Sequence, residues 1–220
     1  MTTPNANASR HPMRHYAHVV LDRSGSMQSC AADAVGGYNT YVAQLPATAC
    51  VSLTLFDSGG IDLVRDAVAP PDATLKDGEF EPRGMTPLYD AIGQTIADAE
   101  ARSKGFDRVA LVILTDGLEN TSVKFKRDDV LKLLKDKQER DGWLVIYLGA
   151  NQDAWAVGKQ FGTVAGNSMS IDADRIGVAM DSSGRATASY FASESAQIGR
   201  VLSGFSRDER RKSKKEASRR

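Results

Sequence analysis

Asp22, Ser24 and Ser26 stand at alternate positions directly after the apolar run Val19-Val20-Leu21. Such a run reads as the end of a buried strand, so Asp22 falls where the strand stops and the chain turns. Gly25 permits a tight turn, which lets Ser24 and Ser26 aim their hydroxyls at the point that Asp22 faces. One carboxylate and two hydroxyls are hard oxygen donors, suited to Mg²⁺ or Mn²⁺. They suit zinc poorly, with no His or thiolate beside them. The same residues also read as a hydroxyl-rich turn leading into a helix, so the case for a metal depends on donors elsewhere in the chain.

A second carboxylate has the same setting. Val109 to Leu114 is continuously apolar, as in a central parallel strand covered on both faces, and it ends in Thr115-Asp116-Gly117. The elements between and around these two strands alternate. Val35, Tyr38, Val42 and Leu45 predict a helix from about Cys30 to Leu45, with close packing on the sheet expected at Gly36-Gly37. Val51–Phe56 and Ile61–Val68 flank Asp57-Ser58-Gly59-Gly60 and predict a hairpin whose second strand is a sheet edge. Asp57 reads as the start of that turn, with a supporting place near the metal as the other reading.

Pro87 opens a helix carrying Leu88, Ile92, Ile96 and Ala99, with Asp90 in its first turn, where a negative charge suits the dipole. Asp128-Asp129 caps a helix with Val130, Leu133 and Leu134 inward. Trp143–Leu148 is a further buried strand. Asp153–Phe161 reads as a short helix, Val164–Ile171 holds a last short strand, and Asp174 to about Phe205 is helical with a break near Ser182-Ser183-Gly184.

Strands alternating with helices predict an α/β fold. The expected architecture is doubly wound and Rossmann-like, with a mainly parallel sheet, one antiparallel edge strand and helices on both faces. In the order 3-2-1-4-5-6, the first and fourth strands are neighbours at the switch point, where open α/β sheets bind ligands. Asp22 and Asp116 then meet, and two carboxylates that close repel unless a cation lies between them.

The D-x-S-x-S pattern resembles the metal-ion-dependent adhesion site of von Willebrand factor A (VWA) domains. Gly84-Met85-Thr86-Pro87-Leu88-Tyr89-Asp90-Ala91 and Leu114-Thr115-Asp116-Gly117-Leu118-Glu119-Asn120 resemble two further segments of that family. The likeness covers about Tyr16 to Asn151 and is greatest to compact intracellular bacterial and phage members. It implies a metal site of Asp22, Ser24, Ser26, Thr86 and Asp116, with Thr86 on a surface loop. Ser24, Ser26 and Thr86 would ligate the ion, Asp22 and Asp116 would ligate it directly or through water, and one position would stay open for a partner's carboxylate. The implied function is a non-enzymatic adaptor. The resemblance suggests as partner an AAA+ ATPase, a kinase or a phosphatase.

The chain has 220 residues, enough for one well-buried domain with extensions, expected as an arm (1–14), a domain (15–205) and a basic tail (206–220). Its 28 basic and 28 acidic residues balance. Arg207 to Arg220 nevertheless holds eight basic and three acidic residues, leaving the body mildly acidic. That tail is the one expected route to nucleic acid, but it lacks aromatics on which bases could stack.

A metal-dependent phosphoesterase is the enzymatic alternative. It would need a second acid two positions after Asp22, where this chain has Ser24. His11, His15 and His18 read as arm and strand residues rather than ligands. Cys30 and Cys50 are expected as free thiols of a reducing compartment. With no membrane-length apolar run and a polar Met1–Arg14, the expected location is the cytoplasm.

Overall fold

The computed structural model describes residues 13–150, 167–195 and 204–214. Its strands are β1 (His15–Asp22), β2 (Ala49–Asp57), β3 (Gly60–Val68), β4 (Arg108–Thr115), β5 (Leu144–Ala150) and β6 (Ser168–Ile171). The helices are α1 (Ala31–Ala43), α2 (Leu88–Arg102), α3 (Arg127–Glu139), α4 (Ile176–Ala192) and α5 (Arg207–Lys212). One sheet runs in the order β3-β2-β1-β4-β5-β6, the order that makes β1 and β4 neighbours. All its pairings are parallel except that of edge strand β3 with β2.

The period-two alternation of the central strands feeds two core layers. Ala17, Val19 and Leu21 of β1 and Ala110, Val112 and Leu114 of β4 join the layer built with α1 and α4. Tyr16, Val20, Val109, Leu111 and Ile113 join the layer built with α2 and α3. His18 is buried and satisfied within the sheet. Its Nδ1 lies 3.1 Å from Tyr16 Oη and its Nε2 2.8 Å from Thr54 Oγ1. Burial pushes its pKa down to about 3, so the ring is neutral. Cys30 belongs to one core layer and Cys50 packs against the other, and both thiols are free.

Several elements differ from expectation. Residues Gly25–Cys30 form a 3-10 turn before α1 begins. A Cβ on Gly37 would sit 3.3 Å from Gly177 Cα and 3.2 Å from Met180 Cγ, so the close approach is to α4 rather than to the sheet. Gly36 faces open space. Helix α4 runs unbroken through Ser182-Ser183-Gly184, and Gly184 lies where a Cβ would meet Gln44 Cβ at 2.8 Å. Here glycine marks a helix crossing, not a helix end.

Part of the basic tail is structured: Arg210 donates to the Ser168 carbonyl, and Asp172 N donates to the Ser213 carbonyl at 2.9 Å. The expected helix at Asp153–Phe161, the start of the segment at Val164 and the N-terminal arm up to residue 12 lie outside the described residues. Among the described residues no helix is long and apolar enough to cross a membrane.

Candidate metal centre

Asp22 is the last residue of β1, and Asp116 immediately follows β4, the neighbouring strand. The sheet order therefore brings the two carboxylates to one crevice, at the carboxyl ends of β1 and β4. Asp22 is buried, and its carboxylate is fixed on both oxygens. Ser24 N donates to Oδ1 at 2.7 Å and Thr115 Oγ1 donates to Oδ2 at 2.5 Å. Ser24 Oγ lies 3.1 Å from Ser26 Oγ, which donates to Asp116 Oδ1 at 2.6 Å.

Thr86 closes the set. Its side chain is buried, not on the surface as the sequence suggests, and its Oγ1 lies over Gly117. A Cβ on Gly117 would stand 2.9 Å from Thr86 Oγ1 and 3.6 Å from Asp22 Oδ2. The glycine thus leaves open a small space bordered by donors from two loops.

These residues fit a small hard cation. Neighbouring oxygens around octahedral magnesium are about 3.0 Å apart, given Mg–O distances near 2.1 Å. The separations of 3.1 Å and 2.6 Å along Ser24, Ser26 and Asp116 bracket that spacing. Burial pushes the Asp22 pKa up to about 6; hydrogen bonds from Thr115 and Ser24 oppose the shift, and the Asp116 charge adds to it. Burial also raises Asp116, against the hydrogen bond from Ser26. Two carboxylates thus carry a charge that their surroundings disfavour, and a divalent cation would offset it. Among the described residues no three His, Cys, Asp or Glu side chains are grouped to hold a metal. The candidate donor set is two carboxylates and three hydroxyls, which excludes a softer-metal site of the zinc type.

The supporting residues were mostly missed in the sequence. Arg23, the variable position of the D-x-S-x-S pattern, is buried. It donates through Nε to Asp57 Oδ2 and through Nη2 to Asp62 Oδ2, both at 2.7 Å. Asp57 also accepts from Gly59 N at 2.6 Å, which starts the hairpin turn, and from Arg83 Nε at 3.1 Å. Asp57 therefore starts the turn, the first of its expected roles, and also holds the loop that follows β1 through Arg23. Two backbone bonds complete that anchor, Arg83 N to the Arg23 carbonyl at 2.8 Å and Gly25 N to the Gly84 carbonyl at 3.1 Å.

The loop after β4 is fastened in the same way. Asn120 accepts from Thr86 N at 2.9 Å and donates its own N–H to the Thr86 carbonyl at 3.2 Å. Glu119 accepts from the amides of Tyr89, Thr121 and Ser122. Asp90 accepts from those of Val123, Lys124 and Phe125. Burial works against the Asp90 charge, but these three amides hold its pKa below the usual carboxylate range. Its role is thus to fasten a loop as well as to sit at a helix N-terminus. An acid in the first turn of α2 was the available signal, but its partners lie more than thirty residues away.

With this architecture, solved structures offer a direct comparison. The chain superposes on a von Willebrand factor type A protein from Catenulispora acidiphila with a TM-score of 0.62 at 14% identity, over 80% of this chain and 43% of that one. The fold is that of a VWA domain. The VWA-fold domain of the type V pili tip protein Mfa5 from Porphyromonas gingivalis is similar at a TM-score of 0.61 and 10% identity, over 80% of this chain and 95% of that one. Manganese-loaded TRAP protein of Plasmodium vivax is similar at 0.57 and 14%, over 74% and 70%. This chain spans less than half of the Catenulispora protein. No family model and no curated protein matches it by sequence.

Proposed function

We propose that this VWA-fold chain is a non-enzymatic, metal-dependent protein-binding module. In this reading Asp22, Ser24, Ser26, Thr86 and Asp116 hold one Mg²⁺ or Mn²⁺, and the ligand is a carboxylate of a partner protein. The observation that carries the reading is the convergence of five hard-oxygen side chains from three separate loops. The manganese in the Plasmodium vivax protein supports a divalent ion of this type.

When bound, the ion supplies an electrophilic position for an oxygen ligand. The chain's own residues do the positioning. Ser24 N and Thr115 orient Asp22, Asn120 holds the Thr86 backbone, and Arg23 ties the first loop to the hairpin. With Ser24 two positions after Asp22, the site has no acid there to protonate a leaving group, which favours binding over phosphoester hydrolysis. The partner classes in view are an AAA+ ATPase, a kinase or a phosphatase of the cytoplasm.

Calorimetry with Mg²⁺ and with Mn²⁺ tests the site: one saturable event is expected, lost in Asp22→Ala. Pull-down with and without EDTA tests the function. Capture that survives both EDTA and Thr86→Ala would place the contact away from the metal.

A further inference from the structure

Residues 205–213 lie along the outer edge of the sheet. Among the described residues, β6 is an edge strand paired with β5 alone. The Asn167 carbonyl accepts from Tyr147 N at 3.0 Å, on the β5 side, so the carbonyls of Ser168 and Ser170 face outward. Arg210 donates to the Ser168 carbonyl, Ser213 Oγ reaches the Ser170 carbonyl at 3.3 Å, and Asp172 N donates to the Ser213 carbonyl at 2.9 Å. The segment is thus a strap that takes the place of a further strand.

The start of the strap is held by Phe205, buried in the core layer of α1 and α4, and by Ser206 and Glu209, which cap α5. Its end rests on Ser213, which supplies two of the three edge contacts and has no exposed surface. The Ser213 hydroxyl also lies 2.9 Å from the Arg210 carbonyl oxygen. Both of its neighbours are therefore acceptors, and the position suits a neutral donor and rejects an anion.

The sequence around this serine is strongly basic. Arg210, Arg211 and Lys212 precede it, and Lys214 and Lys215 follow. Arg211, Lys212 and Lys214 are exposed, whereas Arg210 turns to β6. A serine in such a run is complementary to a kinase with an acidic peptide groove. Helix α5 has only six residues, too few to be stable by itself, so its last turn opens locally at small cost and bares the hydroxyl.

We infer that Ser213 is a phosphate-accepting residue whose modification releases the strap from β6. Its Oγ attacks the γ-phosphorus of ATP on a serine kinase that selects basic sequences. The Oγ–P bond forms, the bond to the ADP oxygen breaks, and the hydroxyl proton passes to the base of the kinase. The product carries a charge of about −1.5 to −2 and three acceptor oxygens. It cannot return to the two carbonyls, and Arg211, Lys212 and Lys214 offer it charge-assisted bonds outside. The edge then loses its cover at Ser170 and Asp172. The inference is independent of the metal reading.

The full chain is incubated with ATP, Mg²⁺ and the catalytic subunit of cyclic-AMP-dependent protein kinase, which selects serines that follow arginines. Tandem mass spectrometry is expected to find phosphate on Ser213, and none there in Ser213→Ala. Hydrogen exchange at the Asp172 amide should be about tenfold faster in the phosphorylated chain than in the unmodified one. Ser213→Ala should keep most of that protection, because the bond from Asp172 N goes to a backbone carbonyl. No phosphate on Ser213, phosphate on other serines alone, or unchanged Asp172 exchange in the modified chain would overturn the inference. Equal loss of protection in Ser213→Ala would overturn it as well, since the hydroxyl and not the added charge would then control the strap.

Discussion

At Asp22 the requirements of folding and of the proposed function oppose each other. The carboxylate is fully buried, and its pKa is pushed up to about 6. A raised folded-state pKa contributes stability that is complete below the unfolded value, near 3.8, and is lost as pH rises through 6. At pH 7.5 without metal, that loss amounts to roughly 2–3 kcal/mol for a two-unit shift.

Asp22→Asn should remove the penalty. Its amide can donate to Thr115 Oγ1, whose own proton then turns to the Gly117 carbonyl 3.1 Å away. Urea denaturation in EDTA at pH 7.5 should find this variant about 2 kcal/mol more stable than the wild type, while Mg²⁺ no longer stabilises it. A less stable variant would mean that the lost hydrogen bonds outweigh the buried charge.

In the same Asp22→Asn variant the acid limb exposes His18, whose pKa is depressed to about 3. A depressed value contributes stability present above the unfolded pKa of 6.5 and lost on acidification towards 3. Stability should therefore fall by up to about 1.4 kcal/mol per pH unit below pH 6.5 from this residue, with Asp90 adding to the loss at lower pH. A flat profile between pH 6 and 4 would contradict a neutral buried ring.

At the scale of elements, two devices set the geometry: the loop fastened after β4 and the crossing of α1 with α4. Asn120→Ala removes the acceptor for Thr86 N and should weaken Mg²⁺ binding by about three- to tenfold in calorimetry. Asn120→Asp keeps an oxygen at that position and should restore most of the affinity. Equal affinity in all three proteins would remove Asn120 from the positioning of Thr86.

At the helix crossing, a Cβ on Gly184 would come within 2.8 Å of Gln44 Cβ and 3.1 Å of the Tyr41 carbonyl. Alanine gains up to about 1 kcal/mol in helix propensity, and the overpacking costs about 1–3 kcal/mol. Gly184→Ala should therefore be neutral to destabilising by about 2 kcal/mol in urea titration. A clear gain in stability would mean that α1 and α4 can separate without loss.

For the whole molecule, metal binding and folding are one linked equilibrium. An ion bound by the native state alone, at a hundred times its dissociation constant, adds about 2.7 kcal/mol. In a domain of this size that should raise the melting temperature by about 5–10 °C. Differential scanning fluorimetry with Mg²⁺ and with EDTA checks the shift, which should vanish in Asp116→Ala. An unchanged melting temperature in the wild type would count against an ion bridging β1 and β4. Because the two carboxylates end adjacent central strands, the ion would join loops that the sheet already holds side by side.

The features legible in the sequence are those written locally. Apolar runs ending in Asp22 and Asp116, and the alternation of strands and helices, suffice for the α/β fold, because residue periodicity reports which faces of an element are buried; that the two carboxylates share one crevice depends on the strand order that sets β1 beside β4. Thr86 was reached only through resemblance to a family, since nothing in its own spacing places it beside Asp116. The Arg23 anchor on Asp57 and Asp62, the Asn120 tie to Thr86 and the packing of Gly37 and Gly184 between α1 and α4 became visible only in three dimensions. The anchoring partners lie 34 to 39 residues apart in sequence. No local period encodes such a pairing: it exists only when layers and loops have packed, and buried polar groups must then find partners at the distances the packing leaves.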